Sequence, residues 1–331
     1  MNILIVNNSK IPVHLYGGTE RVIWDLGKEL VKLNCKVSYL VKRGSSCEFA
    51  DVIAIDDSKE IIDQIPDEVD VVHFHFTPKH LDRVRKPYII TIHGNSNEEA
   101  FLYDQNTVFV SKNHAWRYQS DSFVYNGLDW NEYSKPNFNL ERKYFHFLAK
   151  AAWRVKNVQG AIDTILRVKG ASLHVLGGTR LNFSMGFRFT LNPRIHFHGM
   201  VGGKQKWDLL SASKGLIFPV IMYEPFGLAL IESLYYGCPV FGTTHGSLPE
   251  LITSEFGYLS NDSKELSKAI QETSQFDKRR CHDYALTCFN SKIMAKSYLE
   301  KYQHVVNGNK LNTNPPKLRQ KQTTNFLEWT K

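Results

Sequence analysis

The chain has few cysteines and no pattern among them. Cys35, Cys47, Cys238, Cys281 and Cys288 are dispersed over 331 residues, without a C-x-x-C pair or a matching histidine spacing. That argues against a zinc ribbon or a disulfide framework and predicts reduced thiols. No window approaches the roughly 20 apolar residues needed to span a bilayer. The opening run MNILIV has no basic residue before it, so it reads as a first β-strand rather than a signal peptide, and the chain as cytoplasmic. No G-x-G-x-x-G follows that strand, which disfavours a dinucleotide-dependent dehydrogenase. Nor is there a D-x-D-type cluster suited to Mg²⁺: Asp56 and Asp57 stand in a polar stretch. His73 and His75, two apart on one strand, share a face and read as strand-end histidines rather than metal ligands. No metal and no cofactor are expected.

Acidic residues are outnumbered, giving a formal charge of +8. Lys310, Lys317, Arg319, Lys321 and Lys331 against Glu328 alone put +4 of this in residues 307–331 and leave a mildly basic body. A basic stripe with interleaved stacking aromatics is not evident, so nucleic acid is not an expected partner. Anionic phosphates or an anionic membrane surface fit better.

What is present is an alternation. Residues 2–7 form an apolar strand, 8–18 a loop closing on Gly17 and Gly18, and Thr19 can cap a helix on which Val22, Leu26, Leu30 and Leu33 recur at helical spacing. A glycine turn opening a helix suits a phosphate, because backbone N–H groups and the helix dipole face it. Strands are predicted at 36–41, 69–74, 88–93, 107–111 and 122–124. After a polar linker near 134–142 the alternation restarts, with strands at 144–149, 172–176, 195–199, 215–220 and 239–242 and helices at 158–168, 204–211 and 227–236. Two doubly wound α/β domains with parallel sheets follow, their strand carboxyl ends expected to face one central cleft. The expected boundaries are 1–138, 139–290, a final helix at 291–306 returning to the first domain, and a polar basic tail at 307–331 too poor in apolar residues to pack.

The chemistry concentrates at residues 224–232 (EPFGLALIE). Pro225 and Gly227 suit a turn entering a helix that is apolar almost all round, hence buried. Glu232 inside it needs a polar cleft or a partner. If the whole stretch were helical, Glu224 and Glu232 would stand about 12 Å apart along the axis. That exceeds the separation a glycosidase pair requires, roughly 5–9.5 Å. It suits two carboxylates gripping different hydroxyls of one extended ligand, such as a sugar nucleotide. The helix start at Phe226, Gly227 and Leu228 could offer N–H groups to its phosphates.

This stretch resembles the E-x7-E motif of the GT-B retaining glycosyltransferases of family 4, the glycosyl transferases group 1. Further points of resemblance cover most of residues 1–306: GGTE at 17–20, TIHG at 91–94, VFVS at 108–111, VYNGLD at 124–129, FLAK at 147–150 with Lys156 six residues on, and GCPV with GSLPE at 237–250. Lys150 stands where Arg is usual and Ala149 where Gly is usual; lysine lacks the guanidinium's bidentate fork. The resemblance implies two Rossmann-like domains and transfer of a hexose from a nucleoside-diphosphate donor, a UDP-sugar being expected, to a glycan or lipid-linked acceptor of surface polysaccharide synthesis. Configuration would be retained and no metal used. It implies donor-sugar contacts by Glu224, ribose contacts by Glu232, and phosphate contacts by Gly17, Gly18, Lys150, Lys156 and the backbone of Phe226, Gly227 and Leu228. Met200 and Val201 would lie by the nucleobase and His93 at the reaction centre. The acceptor class and the basic tail, with Phe326 and Trp329, imply peripheral contact with the inner face of an anionic membrane. The alternatives are a sugar-nucleotide-binding protein or scaffold without turnover, or another GT-B enzyme such as an epimerase.

Overall fold

The computed structural model describes residues 1–13, 17–183 and 185–331. Residues 14–16 of the loop expected over 8–18 lie outside the described residues.

The chain divides into two units, the first of Met1–Val13, Gly17–Trp130 and Phe289–Gln322, the second of Asn131–Cys288 and Thr323–Lys331. The first carries β1 (Asn2–Asn7), α1 (Gly18–Lys32), β2 (Lys36–Val41), β3 (Asp51–Ala54), β4 (Val71–Phe74), β5 (Tyr88–Ile92), β6 (Thr107–Phe109) and α2 (Lys112–Arg117). The second carries β7 (Tyr144–Leu148), α3 (Val158–Leu166), β8 (Leu173–Leu176), β9 (Leu181–Asn182), β10 (Arg188–Phe189), β11 (Ile195–Phe197), α4 (Gly203–Ser211), β12 (Ser213–Phe218), α5 (Leu228–Tyr235), β13 (Val240–Gly242), α6 (Leu248–Leu251), β14 (Gly257–Leu259), α7 (Ser263–Gln271) and α8 (Lys278–Cys288). Then α9 (Ser291–Val306) returns to pack on α1 and β5 of the first unit.

Each unit holds a six-stranded parallel sheet. The orders are β3-β2-β1-β4-β5-β6 and β11-β8-β7-β12-β13-β14, the same winding repeated. Such sheets are covered on both faces, which is why the strands read as near-continuous apolar runs: Ile3, Leu4, Ile5 and Val6 are all buried. In this winding the order reverses between the first and fourth strands of each unit, and the crevice at that reversal is where ligands sit.

Several expectations are corrected. The passage between units falls at residue 130, not 138. Thr19 lies inside α1, whose N-cap is Gly17 with no side-chain cap. Residues 122–124 form a single bridge, Phe123 to Phe109, rather than a strand. The tail packs: Tyr103 N–H donates to the Pro316 carbonyl in the first unit, and Leu327 N–H to that of Ile221 in the second. Phe326 lies against the Arg154 guanidinium and Trp329 against the second unit's core. Backbone pairing along extended chain supplied what a tail poor in apolar residues did not advertise.

Candidate active site

In the second unit, the loops after β7 and β12 flank the reversal of strand order, and two hydrogen bonds tie them together. Ile221 N–H donates to the Val155 carbonyl at 2.9 Å, and Asn157 Nδ2 to that of Pro219 at 2.9 Å. Asn157, in left-handed conformation, also caps α3 by accepting from Gly160 N–H. The tied loops bring Lys156 Nζ to 2.5 Å from Glu224 Oε2, both side chains largely buried.

Glu224 is held from behind by its neighbour loop. Gly246 has φ +66°, and a Cβ there would come within 2.2 Å of the Glu224 nitrogen, so a side chain is excluded. Ser247 N–H donates to the Glu224 carbonyl, and its hydroxyl to that of Phe226. Gly227, at φ +88°, is the N-cap of α5. The helix thus begins at Leu228, four residues after Glu224. The 12 Å separation expected from continuous helix therefore does not apply.

Glu232 does not lie on a solvated stripe. It is buried within α5, and Lys206 Nζ of α4 lies 2.5 Å from its Oε1. The Tyr133 hydroxyl donates to the same oxygen at 2.9 Å, and the ammonium sits 5.7 Å from the Tyr133 ring centre. A carboxylate on an apolar helix needs such partners. Sequence reasoning asked for a partner and did not name it; Lys204 and Lys206 at the start of α4 were the signal available.

Lys150 is exposed, its ammonium over the Trp153 ring, so the structure engages only one lysine of the expected pair with Glu224. Val201 is buried and Met200 exposed, on the loop after β11. That loop is joined to the one after β8 by Gly177 N–H to the Gly199 carbonyl at 2.7 Å and by Gly199 N–H to that of Gly178.

In the first unit the reversal carries histidines. His73 bridges Thr91 Oγ1 at 2.7 Å and the Tyr302 hydroxyl of α9 at 2.8 Å. His75 Nδ1 lies 2.9 Å from His93 Nε2, and the rings of His73, His75 and His93 form a stack. Burial pulls the His93 imidazole down to about 4, and it depresses His73 and His75 as well. All three are uncharged at neutral pH. His93, His75 and Thr19 line a cavity of about 460 Å³, which brings the start of α1, just after Gly17 and Gly18, beside His93. Among the described residues no group of three or more His, Cys, Asp or Glu could hold a metal ion.

Two six-stranded parallel sheets, each reversed between its first and fourth strands, are the fold seen in GT-B glycosyltransferase structures. Residues 142–275 match the family model described as glycosyl transferases group 1. The chain is similar in structure to AviGT4, a glycosyltransferase involved in avilamycin A biosynthesis (TM-score 0.71, 18% identity, 93% of this chain and 98% of that one). It is similar to a sucrose-phosphate synthase from Thermosynechococcus elongatus (0.72, 16%, 93% and 99%). It is also similar to HepE from Anabaena, solved with UDP-glucose (0.68, 17%, 92% and 99%). At these identities the likeness shows the fold. Among curated proteins, an uncharacterized 41.2 kDa protein in the cps region of Klebsiella pneumoniae is 26% identical over 116 residues, 33% of this chain and 32% of that protein's length.

Proposed function

We propose that the protein is a retaining, metal-independent glycosyltransferase that moves a hexose from a UDP-sugar to a glycan or lipid-linked acceptor in surface polysaccharide synthesis. The observation that carries this reading is the Lys156–Glu224 pair at the strand-order reversal, beside the N-terminus of α5. In the donor complex Glu224 accepts hydrogen bonds from sugar hydroxyls. Lys156, Lys150 and the N–H groups of Phe226, Gly227 and Leu228 meet the negative charge that grows on the departing diphosphate. Glu232, with Lys206 fixing its carboxylate, holds the ribose. Gly17 and Gly18 add phosphate contacts, Met200 and Val201 meet the base, and neutral His93 orients the sugar as a hydrogen-bond partner rather than as an acid. The fixed ammonium groups stand in for a metal. HepE, solved with UDP-glucose, and the Klebsiella relative from a cps region support the donor and the pathway class.

The test is a thermal-shift panel of UDP, GDP, ADP and their sugars with and without EDTA, followed by an assay of sugar transfer. A shift with UDP that survives EDTA, with transfer, is expected. Transfer abolished by EDTA and restored by Mg²⁺ or Mn²⁺ would overturn the metal-independent mechanism. Binding without donor hydrolysis or transfer would identify a sugar-nucleotide-binding protein.

A further inference from the structure

The crossover from β8 to β11 differs from the others of its sheet. Parallel neighbours are usually joined through a helix, yet residues 177–194 contain the antiparallel pair β9–β10 instead. Along it Leu181, Phe183, Met185, Phe187, Phe189 and Leu191 alternate with Arg180, Asn182, Gly186, Arg188 and Thr190. All six apolar side chains are exposed, from 44% at Leu181 to 75% at Leu191.

The polar side is anchored to its own unit. Arg188 donates to the carbonyls of Ala151 and Thr179, Arg180 to that of Thr190, and Asn182 to that of Gly186. A two-stranded hairpin is marginal in water by itself. Six apolar side chains left this exposed on a hydrogen-bonded base gain little from folding, although Met185 and Phe187 also wall a cavity with Trp153, Phe326 and Trp329. Clusters of this kind mark interaction surfaces.

Charge selects the occupant. The crossover at 177–194 carries Arg180, Arg188 and Arg194 and no Asp or Glu. A second copy docking here face to face would set cations against cations with no carboxylate in the stretch to offset them. Exposed aromatic and aliphatic side chains beside arginines that no carboxylate neutralises suit the interfacial layer of an anionic bilayer, where the rings enter the headgroup boundary and the uncompensated positive charge behind them attracts the anionic surface. The tail suggested by composition is a poorer candidate, since Phe326 and Trp329 pack against the second unit.

We infer that the β9–β10 hairpin is a membrane-docking surface that seats the protein on anionic lipid. The inference concerns lipid binding and stands whether or not the UDP-sugar reading does.

The test is co-sedimentation of the full chain with phosphatidylcholine vesicles containing or lacking phosphatidylglycerol, at low and high salt. Sedimentation only with the anionic vesicles, weakened by salt, is expected. Phe183→Ser with Phe187→Ser should lower partitioning roughly tenfold or more, because the anchoring area is lost. Lys317→Ala with Lys321→Ala should leave it unchanged. Leu191→Ser gives a second readout if the double variant melts early. The UDP thermal shift of each variant, measured in parallel, should match the parent and so reports on the donor site separately. No sedimentation with anionic vesicles, equal sedimentation of the hairpin variants, or a dimer in gel filtration that the hairpin variants convert to monomer would overturn the assignment.

Discussion

The two units wind six strands in the same order and furnish the reversal differently. In the first, buried His73 and His75 and half-buried His93 lie ring against ring there as neutral imidazoles. In the second, Lys156 pairs with Glu224 beside it, and Lys206 with Glu232 on the helix that follows. Topology thus fixes where a ligand can sit, while the loops decide which chemistry it meets. Ion pairs at one reversal and neutral imidazoles at the other make a contrast that substitutions can break.

The largest effect is expected at Glu224. Glu224→Ala removes the proposed sugar contact and leaves Lys156 without its carboxylate, and transfer should fall roughly a hundred- to a thousandfold. Initial rates of UDP release measure it, and a parent-like rate would remove the second unit's claim to the chemistry. Next comes the buried pair. Glu232→Leu alone strands the Lys206 ammonium and should cost about 3–5 kcal/mol of stability, whereas Glu232→Leu with Lys206→Met should recover most of it. On the proposed reading, only a ribose contact stays lost in the double variant. Calorimetry and UDP titration on the same samples therefore separate the structural role of the pair from its binding role. Parent-like UDP affinity in the double variant would reduce Glu232 to a structural residue. A smaller effect is expected at His93. His93→Ala should slow transfer roughly ten- to a hundredfold while leaving the UDP-induced thermal shift intact. Loss of that shift would show that His93 itself contributes to nucleotide binding.

The parallel winding was legible because strands buried on both faces announce themselves as apolar runs, as in residues 2–7 and 36–41. Asp51–Ala54 escaped because an edge strand is short and only partly buried. The hairpin escaped because its alternation is periodic but its expected partner, the core, is absent. At the site, the motif residues with fixed local spacing (Glu224, Gly227, Glu232) could be read directly. Lys206 and Tyr133 could not, because their contact with Glu232 is made through tertiary packing 26 and 99 residues away in sequence. The same holds for the Lys156–Glu224 pair: both residues were singled out, but not their meeting, which depends on the loop ties at Ile221 and Asn157.

The smallest effect expected is on acid stability, and it falls unevenly on the two units. His73, His75 and His93 are held below the ordinary imidazole range by burial, His93 at about 4. In the second unit His146 is pulled down to about 3 and His174 to about 4, also by burial. A histidine that stays neutral when folded and protonates near 6.5 when unfolded gives the unfolded state more bound protons below that pH. Stability is then fully present above about 6.5 and is lost as pH falls toward 4. For these three groups the loss should be about a few kcal/mol in sum, because they touch one another and protonating one opposes protonating the next. His75 makes the sharpest probe, since its Nε2 is buried with no partner among the described residues. His75→Asn should flatten the decline of melting temperature between pH 6.5 and 4, whereas His174→Asn should alter it less, because His174 is less buried and stacks on Tyr144. Equal slopes for the parent and both variants would mean that the imidazole stack carries no linked proton, and the contrast between the units would then rest on their ion pairs alone.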